Sequence, residues 1–167
     1  MIIDFVAHES ISSSVLRKIC RLKKQHWDYS IKDQIVWINS NLRNEDFHLI
    51  LKDLGNDNIL GYMNLINLNV TINDKIQKMI GIGNVCVDKN YQLNGYGFLL
   101  MKVAEYYLRK ENTNGILLCR EKLLPFYDTI RWSRYCGTAK IDKKVFNDFI
   151  YFYNEVLSSE ISVDRKF

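Results

Sequence analysis

The sequence carries a single proline and only eight glycines in 167 residues, too few for a Pro/Gly-rich linker or a low-complexity tail. Its four cysteines, Cys20, Cys86, Cys119 and Cys136, lie far apart and include no Cys-x-x-Cys pair, which argues against a zinc site and against a disulfide framework. Nowhere do roughly 18 uninterrupted apolar residues occur, as a membrane-spanning helix would need. Residues 1–7 lack the basic segment and apolar core of a secretion signal, so a reduced cytoplasm is the expected compartment. There is no internal repeat and no strong excess of one charge, since 23 Lys and Arg face 19 Asp and Glu for a formal net charge of +4. The densest basic run, Arg21-Leu22-Lys23-Lys24, reads as a solvated helix face rather than a nucleic-acid contact. A mildly positive chain also assists capture of a polyanionic ligand.

What is present is an ordinary globular composition, 47% hydrophobic and 25% charged, on a chain whose residues 1–167 read as one domain. Ile2, Ile3, Phe5 and Val6 predict a first strand. Capping hydroxyls at residues 10–14 precede a helix with Val15, Leu16, Ile19, Cys20 and Leu22 on its apolar face, and Ser30-Ile31-Lys32-Asp33 opens a second helix like a capping box with Asp in place of Glu. Residues 46–52, 59–72 and 76–87 read as an antiparallel meander with turns at 54–58 and 73–75. Gly81-Ile82-Gly83 interrupts the last of these strands and predicts a bulge or a close approach. A helix follows through Leu99, Leu100, Val103, Ala104, Tyr107 and Leu108 and ends before residues 112–115, with Gly115 as its expected stop. A buried strand at 116–119, a short helix at 122–130 with Pro125 in its first turn, and strands at 132–141 and 149–153 complete the chain.

The centre of this order is the stretch Gln92-Leu93-Asn94-Gly95-Tyr96-Gly97-Phe98, which follows the strand residues Val85, Cys86 and Val87 and opens the third helix. A glycine turn between strand and helix leaves backbone N–H groups unpaired at the positive helix end, where an anion can approach the main chain closely. Phosphate binding is the physical reading. The stretch lacks the Gly-Lys-Ser/Thr of a nucleotide loop and the third glycine of a dinucleotide fingerprint. It resembles instead the acetyl-CoA loop of the GNAT N-acetyltransferase superfamily, Gln/Arg-x-x-Gly-x-Gly/Ala, with Gln92, Gly95 and Gly97 at the defined positions. The element order β, α, α, three meander strands, α, β, α, β, β resembles the whole of that fold. The implied class is α/β (α+β), with a mixed, mostly antiparallel central sheet of six to seven strands and helices on both faces.

The resemblance implies an acyltransferase that moves an acetyl group from acetyl-CoA, its co-substrate, to an amine. In it, the amides of Gln92, Leu93, Asn94, Gly95, Tyr96, Gly97 and Phe98 would receive the diphosphate, and the backbone of Val85, Cys86 and Val87 would pair with the pantetheine amides. Tyr127 falls on the family's Tyr-x-x-x-Gly-Phe segment as general acid, with Arg131 where glycine is usual and Trp132 for phenylalanine. No carboxylate stands at positions 81–84, where many relatives carry a basic glutamate, so the base is open between an ordered water chain and Glu121, Asp46, His48 or Asp28. Trp27 and Tyr29, on the loop between the first two helices, and His48 are the expected acceptor-site residues. The expected acceptor is a small-molecule amine, with no nucleic acid, membrane or metal involved, and a homodimer among the arrangements the family allows. A catalytically silent CoA-binding domain and a protein or peptide N-acetyltransferase stand as alternatives.

Overall fold

The computed structural model describes residues 1–55 and 57–167; Asn56, part of the turn expected at 54–58, lies outside them. Two compact units make up the chain: Met1–Ile66 with Gly83–Lys102, and Asn67–Ile82 with Val103–Phe167. Two long strands and one helix run from one unit into the other.

In the first unit, strand β1 (Ile2–Ala7) leads to helices α1 (Ser13–Lys24) and α2 (Ile31–Asn41). Both helices start where the hydroxyls predicted: Ser12 Oγ accepts from Val15 N at 3.3 Å, and Ser30 Oγ accepts from Asp33 N at 3.1 Å. At the second start, the Asp33 carboxylate accepts the Ser30 hydroxyl proton at 2.6 Å, a variant of the capping box that fixes the cap rotamer. Strand β2 (Phe47–Lys52) pairs antiparallel with β1 on one side and, on the other, with the first half of β3 (Ile59–Ile72). The far half of β4 (Lys75–Val87) lies beside β3. Ile19 and Leu22 of α1 pack with Ile50, Ile59, Tyr62 and Cys86 of these strands into one core cluster, against which Trp27 leans.

In the second unit, helix α3 (Tyr96–Lys110) ends and strand β5 (Asn114–Cys119) begins, followed by α4 (Leu124–Thr129) and strands β6 (Ser133–Tyr135), β7 (Thr138–Ile141), β8 (Lys144–Phe146), β9 (Phe149–Phe152) and β10 (Glu160–Val163). The strand order is β6-β9-β5-β4-β3-β10-β7-β8. The pair β4–β5 is parallel, from Met79 opposite Asn114 to Ile82 opposite Leu117, as the βαβ connection requires. The pair β10–β7 is also parallel, and the rest of the registered pairs are antiparallel.

The mixed, mostly antiparallel α/β class holds, but the strand count is ten among the described residues rather than six to seven. The strand expected over 132–141 is two strands with different partners, interrupted at Cys136 and Gly137, where a Cβ on Gly137 would stand 2.3 Å from the Tyr135 hydroxyl and 2.6 Å from the Ser159 carbonyl. Strand β8 follows a two-residue turn in which Asp142 and Lys143 both take positive φ (50° and 65°), the twist a tight hairpin demands. The same turn at Asn73 and Asp74 (49° and 61°) joins β3 to β4.

Gly115 does not stop α3. The stop is Asn112, left-handed at φ 47°, with Thr113 N donating to Leu108 O at 3.0 Å and Asn112 N to Arg109 O at 3.2 Å, the paired bonds of a Schellman ending. Gly115 lies inside β5, where a Cβ would meet Leu108 Cδ1 at 2.5 Å and the Trp132 ring at 2.9 Å. Gly81 likewise marks a close approach, with Phe167 and Leu68 at 2.6 and 2.7 Å from its Cβ position, while the backbone irregularity falls further on, at Asn84 (φ 53°).

Candidate functional site

The loop expected to hold an anion is built from left-handed residues. Leu93 and Gly95 have φ 62° and 80°, the side chains of residues 91–95 are exposed, and a Cβ on Gly95 would find no atom within 4 Å. The Gly95 carbonyl accepts from Leu99 N at 2.9 Å, so Gly95 is the residue from which α3 begins. In that geometry the N–H groups of Gly95, Tyr96, Gly97 and Phe98 have no acceptor inside the helix and sit at its positive end. The space in front of Gly95 is open. This is the arrangement a diphosphate fits: unpaired amides, no side chain in the way, and a positive dipole end.

Gln25 and Asp88, which the sequence did not single out, position this loop. Gln25, at the end of α1, donates from Nε2 to Asp88 Oδ2 at 2.7 Å and accepts at Oε1 from Lys89 N at 2.8 Å. Asp88 Oδ1 in turn accepts from Asn90 N at 2.9 Å, which winds the single turn Lys89–Tyr91 ahead of the glycines. His26 Nε2 lies 2.8 Å from the Val87 carbonyl oxygen, so His26 donates there and the last strand carbonyl is already engaged; Asp88 N donates to Leu60 O at 2.9 Å. The Gln25 and His26 contacts span more than sixty residues, and no local sequence pattern encodes them. Val85 is half-buried, and Cys86 and Val87 are buried, with burial pushing the Cys86 thiol up to about 12 despite the opposing pull of Lys23.

Tyr127 sits on α4, buried at 4% exposure, its ring edge-on to Phe126 at 5.0 Å and tilted against Tyr151 at 5.8 Å. Burial, and secondarily the Cys119 thiol, raise its phenol well above the ordinary tyrosine range, so it keeps its proton at any working pH. Among the described residues its hydroxyl has no hydrogen-bond partner, and it is not one of the polar atoms sealed from solvent. Next to it, the Tyr151 hydroxyl donates to Asp128 Oδ1 at 2.6 Å, which anchors α4 on β9. Arg131, at the position where the resembled family has glycine, adopts φ 63°, the left-handed conformation that explains why glycine is usual there. Trp132 is buried and its indole N–H donates to Glu105 Oε1 at 3.2 Å.

The residues expected at an acceptor site divide. Trp27 is half-buried against the first unit's core, and Tyr29 is 63% exposed. His48 is fully buried, with Nε2 3.0 Å from His8 Nδ1 and Nδ1 2.8 Å from the Tyr62 hydroxyl, so both ring nitrogens are taken. Burial, then His8 and Lys23, lower His48 to about 3, which keeps it neutral. Of the other carboxylates considered as bases, Asp46 is fully buried and accepts from Arg43 N at 2.7 Å, whereas Asp28 and Glu121 are exposed. The basic run at 21–24 is not wholly a solvated face: Lys23 is buried at 4% exposure, with Trp27 and Trp37 ring centroids 5.9 and 5.2 Å from its ammonium. On α2, Gln34 donates from Nε2 to Tyr29 O at 3.2 Å while its Oε1 is buried without a partner.

No helix among the described residues is long and apolar enough to cross a membrane. Comparison with curated proteins finds no match. Among solved structures, an acyl-CoA N-acyltransferase from Pseudomonas aeruginosa is similar at TM-score 0.67 and 14% identity, over 92% of this chain and all (100%) of that one. Escherichia coli ElaA is similar at 0.66 and 14% over the same shares, 92% and 100%. An aminoglycoside 6'-N-acetyltransferase complexed with coenzyme A is similar at 0.65 and 12%, over 91% of this chain and 94% of that one. At such identities these likenesses establish the fold. The sequence profile of the Acetyltransferase (GNAT) family matches residues 15–129, more than half of the chain and including the glycine loop, so the protein belongs to the GNAT acetyltransferase family and is an acyltransferase whose acyl donor is acetyl-CoA.

Proposed function

We propose that the protein transfers the acetyl group of acetyl-CoA to the primary amine of a small molecule by direct attack in a ternary complex. The observation that carries this reading is the start of α3, where Gly95 at φ 80° faces open space and four main-chain amides are left to hold a diphosphate. Gln25 and Asp88 keep those amides aimed by fixing the turn before them. The backbone of Val85 and Cys86 aligns the pantetheine arm as an added strand, with the Val87 carbonyl already shared with His26.

In the reaction the amine nitrogen bonds to the thioester carbon, the carbon–sulfur bond breaks, and the sulfur leaves as thiolate. Tyr127 supplies the proton that the sulfur takes up. A phenol that burial holds neutral carries the proton to be given and does not act as the base. The amine's own proton leaves through ordered water, since no strand carboxylate stands at positions 81–84. Trp27 and Tyr29 border the acceptor, and His48 contributes by holding His8 and Tyr62 in place rather than by touching it. Thiol release from acetyl-CoA across a panel of primary amines tests the reading. Amine-dependent release is expected; CoA binding with no release for any amine would contradict it.

A further inference from the structure

Buried lysines are ordinarily paired with a carboxylate, because an unpaired ammonium out of water is costly. Lys23 departs from this. At 4% exposure its ammonium has neither an ion pair nor a hydrogen bond among the described residues. It meets the indole faces of Trp27 and Trp37 instead. Its Nζ is not among the polar atoms sealed from solvent.

The strands near Lys23 carry a second unsatisfied donor. His48 and Asn64 are register partners across β2 and β3 and therefore share a face. Asn84, at the positive-φ irregularity of β4, donates from Nδ2 to Asn64 Oδ1 at 3.2 Å, and the fully buried Asn64 Nδ2 is left without a partner. Ile50 and Tyr62, on the same face as His48 and Asn64, pack in one cluster with Leu22, the neighbour of Lys23 on α1, and with Cys86 of β4, so α1 covers this face. His48 is neutral, and His8, Tyr62 and Cys86 bring no negative charge to it. An unpaired ammonium and an unpaired amide N–H both ask for an acceptor, and an anionic one satisfies the ammonium best.

We propose that Lys23, bracketed by Trp27 and Trp37 and with Asn64 and Asn84 on the neighbouring strand face, receives a carboxylate of the acceptor, so that the acetylated amine belongs to an amino acid or a similar amino-carboxylic acid. The proposal rests on the transferase reading and narrows it. A carboxylate beside Lys23 restores the ammonium form that burial disfavours, and the indoles screen the pair from water, which strengthens it. A polycationic amino sugar in the same place would set like charges together in a dry site.

The test is a thiol-release assay with acetyl-CoA on a panel of amino acids, each paired with its carboxamide, together with a polycationic aminoglycoside. One charge-assisted hydrogen bond corresponds to about a 10- to 100-fold preference in kcat/KM for the acid over its amide. Lys23→Met and Lys23→Gln should erase that ratio by raising KM for the acid. An amide or aminoglycoside used as well as the acid, or a ratio that survives both substitutions, overturns the proposal. Should neither variant fold, wild-type tryptophan fluorescence titrated with acid and amide in the absence of acetyl-CoA decides: saturable quenching by the acid only supports the site, and equal or absent responses refute it. That titration also separates the two readings, because failure of every amine to release thiol sinks the transferase proposal while the carboxylate site is still judged by binding.

Discussion

The two units bury different chemistry. Lys23, Gln34, Asp46, His48 and Asn64 are buried polar residues of Met1–Ile66, whereas Glu105 is the one such residue in the other unit among those described. Glu105 is satisfied by the Trp132 indole, and the second unit packs aromatic contacts such as Tyr127 with Phe126 and Tyr151, though it too seals one side-chain nitrogen, Arg165 Nη1, from solvent. In the first unit, Asn64 Nδ2 and Gln34 Oε1 have no partner and Lys23 has no counter-charge among the described residues. Partnered polar groups stabilise a core, while unpartnered ones cost stability and are retained where a ligand completes them. The first unit thus buries an amide N–H and an ammonium that the proposed carboxylate would complete, while in the second Tyr127 packs among aromatic rings.

The largest expected effect falls on the second unit's donor. Tyr127→Phe should lower kcat by about 100-fold or more with KM for acetyl-CoA and the thermal midpoint little changed, as measured by steady-state kinetics and thermal denaturation. Equal losses in stability and rate would make Tyr127 a packing residue and break the division between the units.

Acid should damage the first unit through its histidines. Unfolded His48 takes a proton near the ordinary value of 6.5, while the folded side chain resists until about 3. Between those values the unfolded chain binds more protons, so stability rises with pH and is lost as pH falls below 6.5. At about 1.4 kcal/mol per unit of pKa, His48 withdraws on the order of 3 kcal/mol between pH 6.5 and pH 4. Urea titrations over this range should show that slope in the wild type and a shallower one in His48→Gln. Identical slopes would mean that His48 is not held neutral.

Smaller effects sharpen the account of the second unit. Gly115→Ala should cost about 1–3 kcal/mol by overpacking, since its Cβ would press on Leu108 and Trp132; a neutral change in urea unfolding would mean that the two side chains yield. Arg131→Gly should gain up to about 1 kcal/mol by relieving a left-handed arginine, visible as a slightly higher midpoint.

How much was legible in the sequence follows the distance over which each feature is determined. The caps at Ser12 and Ser30, the meander and the Gln92–Gly97 loop depend on neighbours a few residues away, and periodicity and turn chemistry display them. Strand β8 was hidden because Asp142-Lys143 is a poor match to the usual Asn-Gly hairpin turn, and β10 because a four-residue strand between polar segments gains its order only by pairing with β3 and β7. The helix stop was misassigned to Gly115 because a left-handed Asn112 serves as well as glycine. The polar cluster was the least legible part. Lys23 looked like one more cation in a surface run, and the His8–His48–Tyr62 chain joins residues 40 and 14 positions apart.

The central claim, that main-chain amides at the start of α3 hold the donor's diphosphate, is tested most directly by calorimetric binding of CoA against pantetheine, which has the same arm and thiol without the diphosphate. CoA should bind at least about 100-fold more tightly, as two or more charge-assisted hydrogen bonds would give. Equal affinities would contradict it.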